Sequence, residues 1–173
     1  WIGVASGVQH LHEHDPCLIH GDLKPTNVLI DENWNPVLCD FGLAAIFMEA
    51  DLTTTSPHAG TERYLSPELI LDDHPRTSVE SDIYALGCIG LEFIFSLRPY
   101  HHRQNPPQGV IIKDILRGVQ PATRPPGLDN FTDVIWDVIE RCLCRDPSYR
   151  PAAADVLFWI NTIISSMNIL LAA

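Results

Sequence analysis

Apolar residues at Trp1, Val4, Ala5, Val8 and Leu11 recur at helical spacing, which predicts an amphipathic helix at the start of the chain. Asp15-Pro16 ends it, because the residue before a proline avoids helical geometry. The period then changes. Leu18-Ile19, Val28-Leu29-Ile30 and Val37-Leu38-Cys39 are short β-type runs, the last two joined by a turn over 31–36. Residues 50–67, rich in Thr, Ser, Pro and Gly, predict a long surface loop. Over 79–97 the chain is apolar on most sides, which predicts a buried central helix in which Gly87 and Gly90 allow close approach. A Pro- and His-rich connector over 98–109 leads to three more helices, over 111–116, 131–143 and 152–171. The predicted class is therefore mainly α with a few short strands.

A length of 173 residues, with 46% apolar and 19% charged positions, fits one globular domain and excludes general disorder. Twenty-two acidic against eleven basic side chains give a net charge of −11. That argues against nucleic acid and against anionic membranes as partners, since their phosphates would be repelled; a basic protein substrate would suit it. Five cysteines without a CxxC pair fit neither a disulfide framework nor a zinc finger, and point to a reduced, intracellular and cytoplasmic setting. Trp1 in place of methionine predicts a fragment, a processed product or an incomplete gene model, and no signal-peptide pattern opens the chain. Asn161, Ser165, Ser166 and Asn168 interrupt the apolar C-terminal stretch, which favours a helix packed on the domain over a membrane span.

Candidate chemistry concentrates in His20-Gly21-Asp22-Leu23-Lys24-Pro25-Thr26-Asn27, a polar loop between β-type runs. A carboxylate there can orient a hydroxyl and take its proton, an ammonium can steady a phosphate, and a carboxamide oxygen can ligate a hard cation. Asp40-Phe41-Gly42 closes the next β run and offers a second carboxylate, as a magnesium site shared with substrate phosphates requires. Taken singly, such residues are turn formers more often than ligands. His10 and His14 lie one helical turn apart with His12 beside them, which is either a metal pair or, with no third ligand, a solvated helix end. Cys39 reads as a buried inert thiol before a reactive one, and Cys142 and Cys144 as packing residues.

HGDLKPTN, DFG, GTERYLSPE and DIYALG, in this order and spacing, resemble the C-terminal lobe of a eukaryotic protein kinase of the serine/threonine type, close to the tyrosine-kinase-like group. The resemblance covers nearly the whole chain. It implies a kinase-like C-lobe over 1–173 with a catalytic loop at 18–27, an activation segment at 40–68 and a helical remainder at 69–173. It further implies ATP and Mg2+ as cofactors and a protein substrate with a Ser or Thr acceptor. Carried over by motif, Asp22 resembles the catalytic base, Lys24 the lysine on the transferred phosphate, Asn27 and Asp40 the magnesium ligands, and Leu29 the apolar floor under adenine. Thr61 resembles the residue that shapes the substrate groove. His20, Glu68, Asp82 and Arg150 match structural positions: Glu68 pairs with Arg150, and Asp82 receives backbone hydrogen bonds from the catalytic loop.

Gly21 departs from the arginine usual before this aspartate, so the loop is expected to lack a switch that reads a phosphate on Thr53, Thr54, Thr55 or Ser56. Ser66 stands where the family usually has alanine. No glycine-rich loop and no strand lysine with a helix glutamate is found, so the reading is of a kinase without its N-terminal lobe, binding ATP poorly as it stands. Two alternatives remain. One is a non-catalytic protein-binding module; the other is a small-molecule phosphotransferase of the aminoglycoside or choline kinase type, which shares His-Gly-Asp but is disfavoured by Lys24, by the Asp40 triplet and by residues 60–68.

Overall fold

The computed structural model describes residues 1–40, 61–107 and 109–171. Among the described residues the fold is mainly helical with one small antiparallel sheet. Its axis is the apolar segment foreseen from the sequence, helix α3 (Val79–Phe95), in which every residue from Ser81 to Leu91 is buried. Numbered in chain order, α1 is Ile2–His12, α2 is Glu68–Leu71, α4 is Val110–Leu116, α5 is Asn130–Cys142 and α6 is Ala153–Leu171. Ser78 starts α3 through a reciprocal cap: its hydroxyl accepts the Ser81 N–H while the Ser81 hydroxyl accepts the Ser78 N–H. The helix stops at Ser96, which takes a left-handed φ of 54°, two residues short of the apolar run.

Helices α1, α5 and α6 enclose α3. Val4, Ala5 and Val8 of α1 meet Ile83, Leu86 and Ile89 of α3, Val138 and Cys142 of α5, and Val156 and Ile160 of α6 in one buried cluster. On the other side of α3, Tyr84, Cys88 and Leu91 pack on Ile135, Trp136 and Ile139, and Phe95 meets the Trp136 ring edge-on at 5.0 Å. Burial pushes the Cys142 thiol up to about 12 and raises Cys88 as well, so both are packing groups rather than nucleophiles. Cys39, by contrast, is half-buried rather than buried. Among the described residues no helix is long and apolar enough to cross a membrane.

Strands β1 (Val28–Ile30) and β2 (Pro36–Leu38) pair Leu29 with Val37. The carboxylate of Asp31 closes their turn by accepting the N–H groups of Asn33 and Asn35, both at 2.8 Å, and these bonds hold it below the usual carboxylate range. Three expectations need correction. Leu18-Ile19 forms no strand among the described residues, because Leu18 N–H donates to the Leu11 carbonyl and His20 N–H to Asp82, consuming the donors a strand would need. The β2 pairing runs one residue earlier than 37–39. The end of the 50–67 stretch is not a surface loop: 61–64 is a 3-10 turn, and Arg63 and Ser66 are buried. The Arg63 guanidinium donates to the carbonyls of Pro99, Tyr100 and Arg103, which closes this turn onto the connector.

The approach of α3 to α5 requires glycine at 87, where an added Cβ would lie 2.8 Å from the Cys142 Cβ. That atom is fixed to the backbone and cannot swing aside. Gly87→Ala should therefore cost about 1–3 kcal/mol in urea unfolding.

Candidate functional site

The site is assembled on a buried carboxylate. Asp82, in the first turn of α3, accepts the His20 N–H on Oδ2 at 2.8 Å and the Gly21 N–H on Oδ1 at 2.9 Å. Gly21 turns there with φ of 75°, in the left-handed region that glycine enters without a side-chain penalty. The His20 ring is fully buried and links both halves of the site. Its Nε2 donates to the Cys39 carbonyl at 3.0 Å, and its Nδ1 accepts the Asp22 N–H at 3.3 Å, which fixes the tautomer.

Three of the residues singled out by motif form one bonded group. Lys24 Nζ lies 2.5 Å from Asp22 Oδ2, and Asn27 Nδ2 donates to the Asp22 carbonyl at 2.8 Å and to its Oδ2 at 3.2 Å. A 3-10 turn over Pro25–Asn27 brings Asn27 back to Asp22. Asp40 is placed beside this group through its neighbour: Cys39 donates its N–H to the Asn27 carbonyl and accepts from His20. Asp40 itself is exposed, with a left-handed φ of 61°. Leu29 lies apart on β1, 54% exposed on the outer face of the sheet. Thr61 opens the 3-10 turn before α2, while its side chain lies outside the described residues. Phe41, Gly42, Gly60 and the Thr53–Ser56 positions lie outside them too.

Oxygen donors from Asn27 and Asp40 are of the hard type that suits magnesium. Among the described residues no three His, Cys, Asp or Glu side chains gather as a metal cage. Two such oxygen donors would leave a hard cation its remaining positions for waters and substrate phosphates.

Glu68 and Arg150 form a separate support. The Arg150 guanidinium grips both Glu68 oxygens at 2.6 and 2.7 Å and donates to the carbonyls of Glu80 and Cys144. Burial pushes the Glu68 carboxyl up, but the Arg150 hydrogen bonds lead the opposing causes and leave it below the ordinary glutamate value.

Two residues with a part in this region escaped the sequence reading. Arg63 carries no motif signal that foretells a buried cation. His12 was read as part of a solvated helix end or a metal pair, yet its Nε2 contacts Asp82 Oδ2 at 3.0 Å and its side chain is 10% exposed. The signal was present, since His12 lies four residues beyond buried Val8 on the apolar face of α1.

Two outcomes follow from this geometry. Because the left-handed backbone at 21 penalises any Cβ, Gly21→Ala should lose about 1–2 kcal/mol in urea unfolding. A depressed folded-state carboxyl gives stability that is complete above the unfolded value and is lost as pH falls through the folded one. The stability gap between wild type and Glu68→Gln should thus hold steady near neutrality and close below pH 4.5, as read by denaturation at stepped pH.

Comparison with known proteins agrees with this arrangement. The protein kinase domain model matches residues 1–158. The chain is 30% identical over 164 residues to the dual specificity protein kinase shkC of Dictyostelium discoideum, covering 92% of this chain and 30% of that protein. It is 33% identical over 165 residues to the probable serine/threonine-protein kinase drkA of the same organism, covering 95% and 24%. To the probable serine/threonine-protein kinase WNK5 of Oryza sativa subsp. japonica it is 39% identical over 157 residues, covering 87% and 43%. The chain thus spans less than half the length of these relatives. The reading of a C-terminal lobe lacking its N-terminal lobe is corrected here. The domain model aligns from the first residue, so the match is to the kinase domain and not to one lobe alone. With the domain model matched over residues 1–158, the chain belongs to the protein kinase domain family.

Proposed function

We propose that this protein transfers the γ-phosphate of ATP to serine or threonine hydroxyls of proteins, with magnesium as the cofactor. The observation that carries the reading is the Asp22–Lys24–Asn27 group, bonded within itself and seated on Asp82 through His20 and Gly21. Phosphoryl transfer needs little covalent chemistry from a protein and depends on positioning and charge. In this reading the Asp22 carboxylate orients the acceptor hydroxyl. As the hydroxyl oxygen bonds to the γ-phosphorus and the bond to the ADP oxygen breaks, Asp22 takes the hydroxyl proton. Lys24, held against Asp22, brings an ammonium to the oxygens of the moving phosphoryl group. Asn27 and Asp40 would hold magnesium, which when bound neutralises phosphate charge. Leu29 offers an exposed apolar surface for the adenine ring, and Thr61 stands at the entry of the segment that would face the acceptor peptide. The names of drkA and WNK5 support serine/threonine specificity, while shkC is named a dual specificity kinase, and the net charge of −11 suits a basic substrate.

The test uses the natural full-length protein with radiolabelled ATP, magnesium and basic peptides that carry Ser, Thr or Tyr. Label on Ser and Thr is expected, with kcat lowered roughly 10²–10⁴-fold in Asp22→Asn at an unchanged melting temperature. No transfer by the wild type, or full turnover by the variant, would overturn the reading.

A further inference from the structure

Acidic side chains outnumber basic ones two to one in this chain, yet the balance reverses over 98–117. That stretch carries Arg98, Arg103, Lys113 and Arg117 against a single acid, Asp114. Asp114 is turned inward: its side chain is 2% exposed, and its oxygens accept Arg103 Nε at 2.6 Å and Nη2 at 2.9 Å. The negative charge is thus neutralised inside, while the Arg103 side chain stays 42% exposed. Lys113 and Arg117 are exposed and stand one turn apart on α4, whose helical backbone continues through Arg117. Neither forms an ion pair among the described residues, whereas Arg124 draws Asp133, Asp137 and Glu140. Exposed Arg145 reaches the same end of α4, where its Nη1 donates to the Ile115 carbonyl at 3.0 Å. Leu116 and Val119 add exposed apolar surface there. The face is preformed, because Ile111 and Ile115 are buried with Tyr100 and the Arg103 fork clamps the connector to α4.

A helix dipole favours a cation in the last turn. It does not account for guanidinium groups drawn in from the connector and from beyond α5, nor for the want of acids around them. We infer that this face, built from Arg103, Lys113, Arg117 and Arg145 with Leu116 and Val119, docks an acidic segment of a partner protein. The argument for that occupant is charge complementarity at short range. A charge is felt over about 8 Å at physiological salt, so a short acidic segment meets these cations and not the acids elsewhere on the surface. A long polyanion or an anionic membrane would meet those acids too, and the net charge of −11 repels it. The inference goes beyond the phosphotransfer reading and does not depend on it.

The experiment titrates the full-length protein into a fluorescein-labelled peptide of glutamates flanking two leucines and follows anisotropy. Wild type should bind, and more weakly as sodium chloride is raised. Lys113→Gln and Arg117→Gln should each raise Kd roughly threefold, and the double variant roughly tenfold, at an unchanged melting temperature. Asn161→Asp, on α6, lowers the net charge as much as Lys113→Gln does and should leave Kd unchanged. Four results would overturn the inference: no binding by wild type, a double variant that binds like wild type, a loss in Asn161→Asp equal to that in Lys113→Gln, or tighter binding of phosphatidylserine vesicles or an RNA oligonucleotide than of the peptide.

Discussion

A carboxylate taken out of water has to be surrounded by donors, and Asp82 recruits three donors from two separate parts of the chain. His12 comes from α1, and His20 and Gly21 come from the loop. Stripping water from an anion of this size costs several kcal/mol, so the carboxylate is stable only where those groups converge. The convergence turns a stretch of irregular backbone into a fixed platform. It also accounts for why 18–19 forms no strand among the described residues, since the Leu18 amide serves α1 and the His20 amide serves Asp82 instead of a neighbouring strand.

Platform and reactive group are then coupled through one imidazole. The His20 ring reads the Asp22 backbone on one nitrogen and the Cys39 carbonyl on the other. Asp22 and Asp40, distant in sequence, are therefore held by a common element. Its burial keeps water from competing for either bond. Glycine at 21 is part of the same economy of strain, since the turn that aims the N–H at Asp82 needs a positive φ.

Arginines do for the segment that leads into α2 what Asp82 does for the loop. Arg150 joins Glu68 to the carbonyls that follow α5 and lies 5.1 Å over the Tyr84 ring. Arg63 ties the turn before α2 to the connector by three backbone carbonyls. Both cations are buried and bonded to several acceptors, the condition under which a buried charge orders its surroundings instead of destabilising them. The residues that lead into α2 are thereby fixed on the same core that carries the loop.

Periodicity in the sequence determined the helices other than α2, because a run such as 79–97 is too apolar to be anything but interior, and β1 was legible from Val28-Leu29-Ile30 between polar turns. The spaced motifs grouped Asp22, Lys24 and Asn27, which are bonded to one another, and paired Glu68 with Arg150. Only the tertiary structure decided the rest: that His12 faces a buried carboxylate, that Arg63 caps carbonyls about forty residues away in the connector, and that the His20 ring spans two carboxylate-bearing segments. The physical reason is common to all of these. Helix and strand periods are local properties of neighbouring residues, whereas the partner of a buried polar group is chosen by which distant donor or acceptor the packing of the core leaves within about 3 Å.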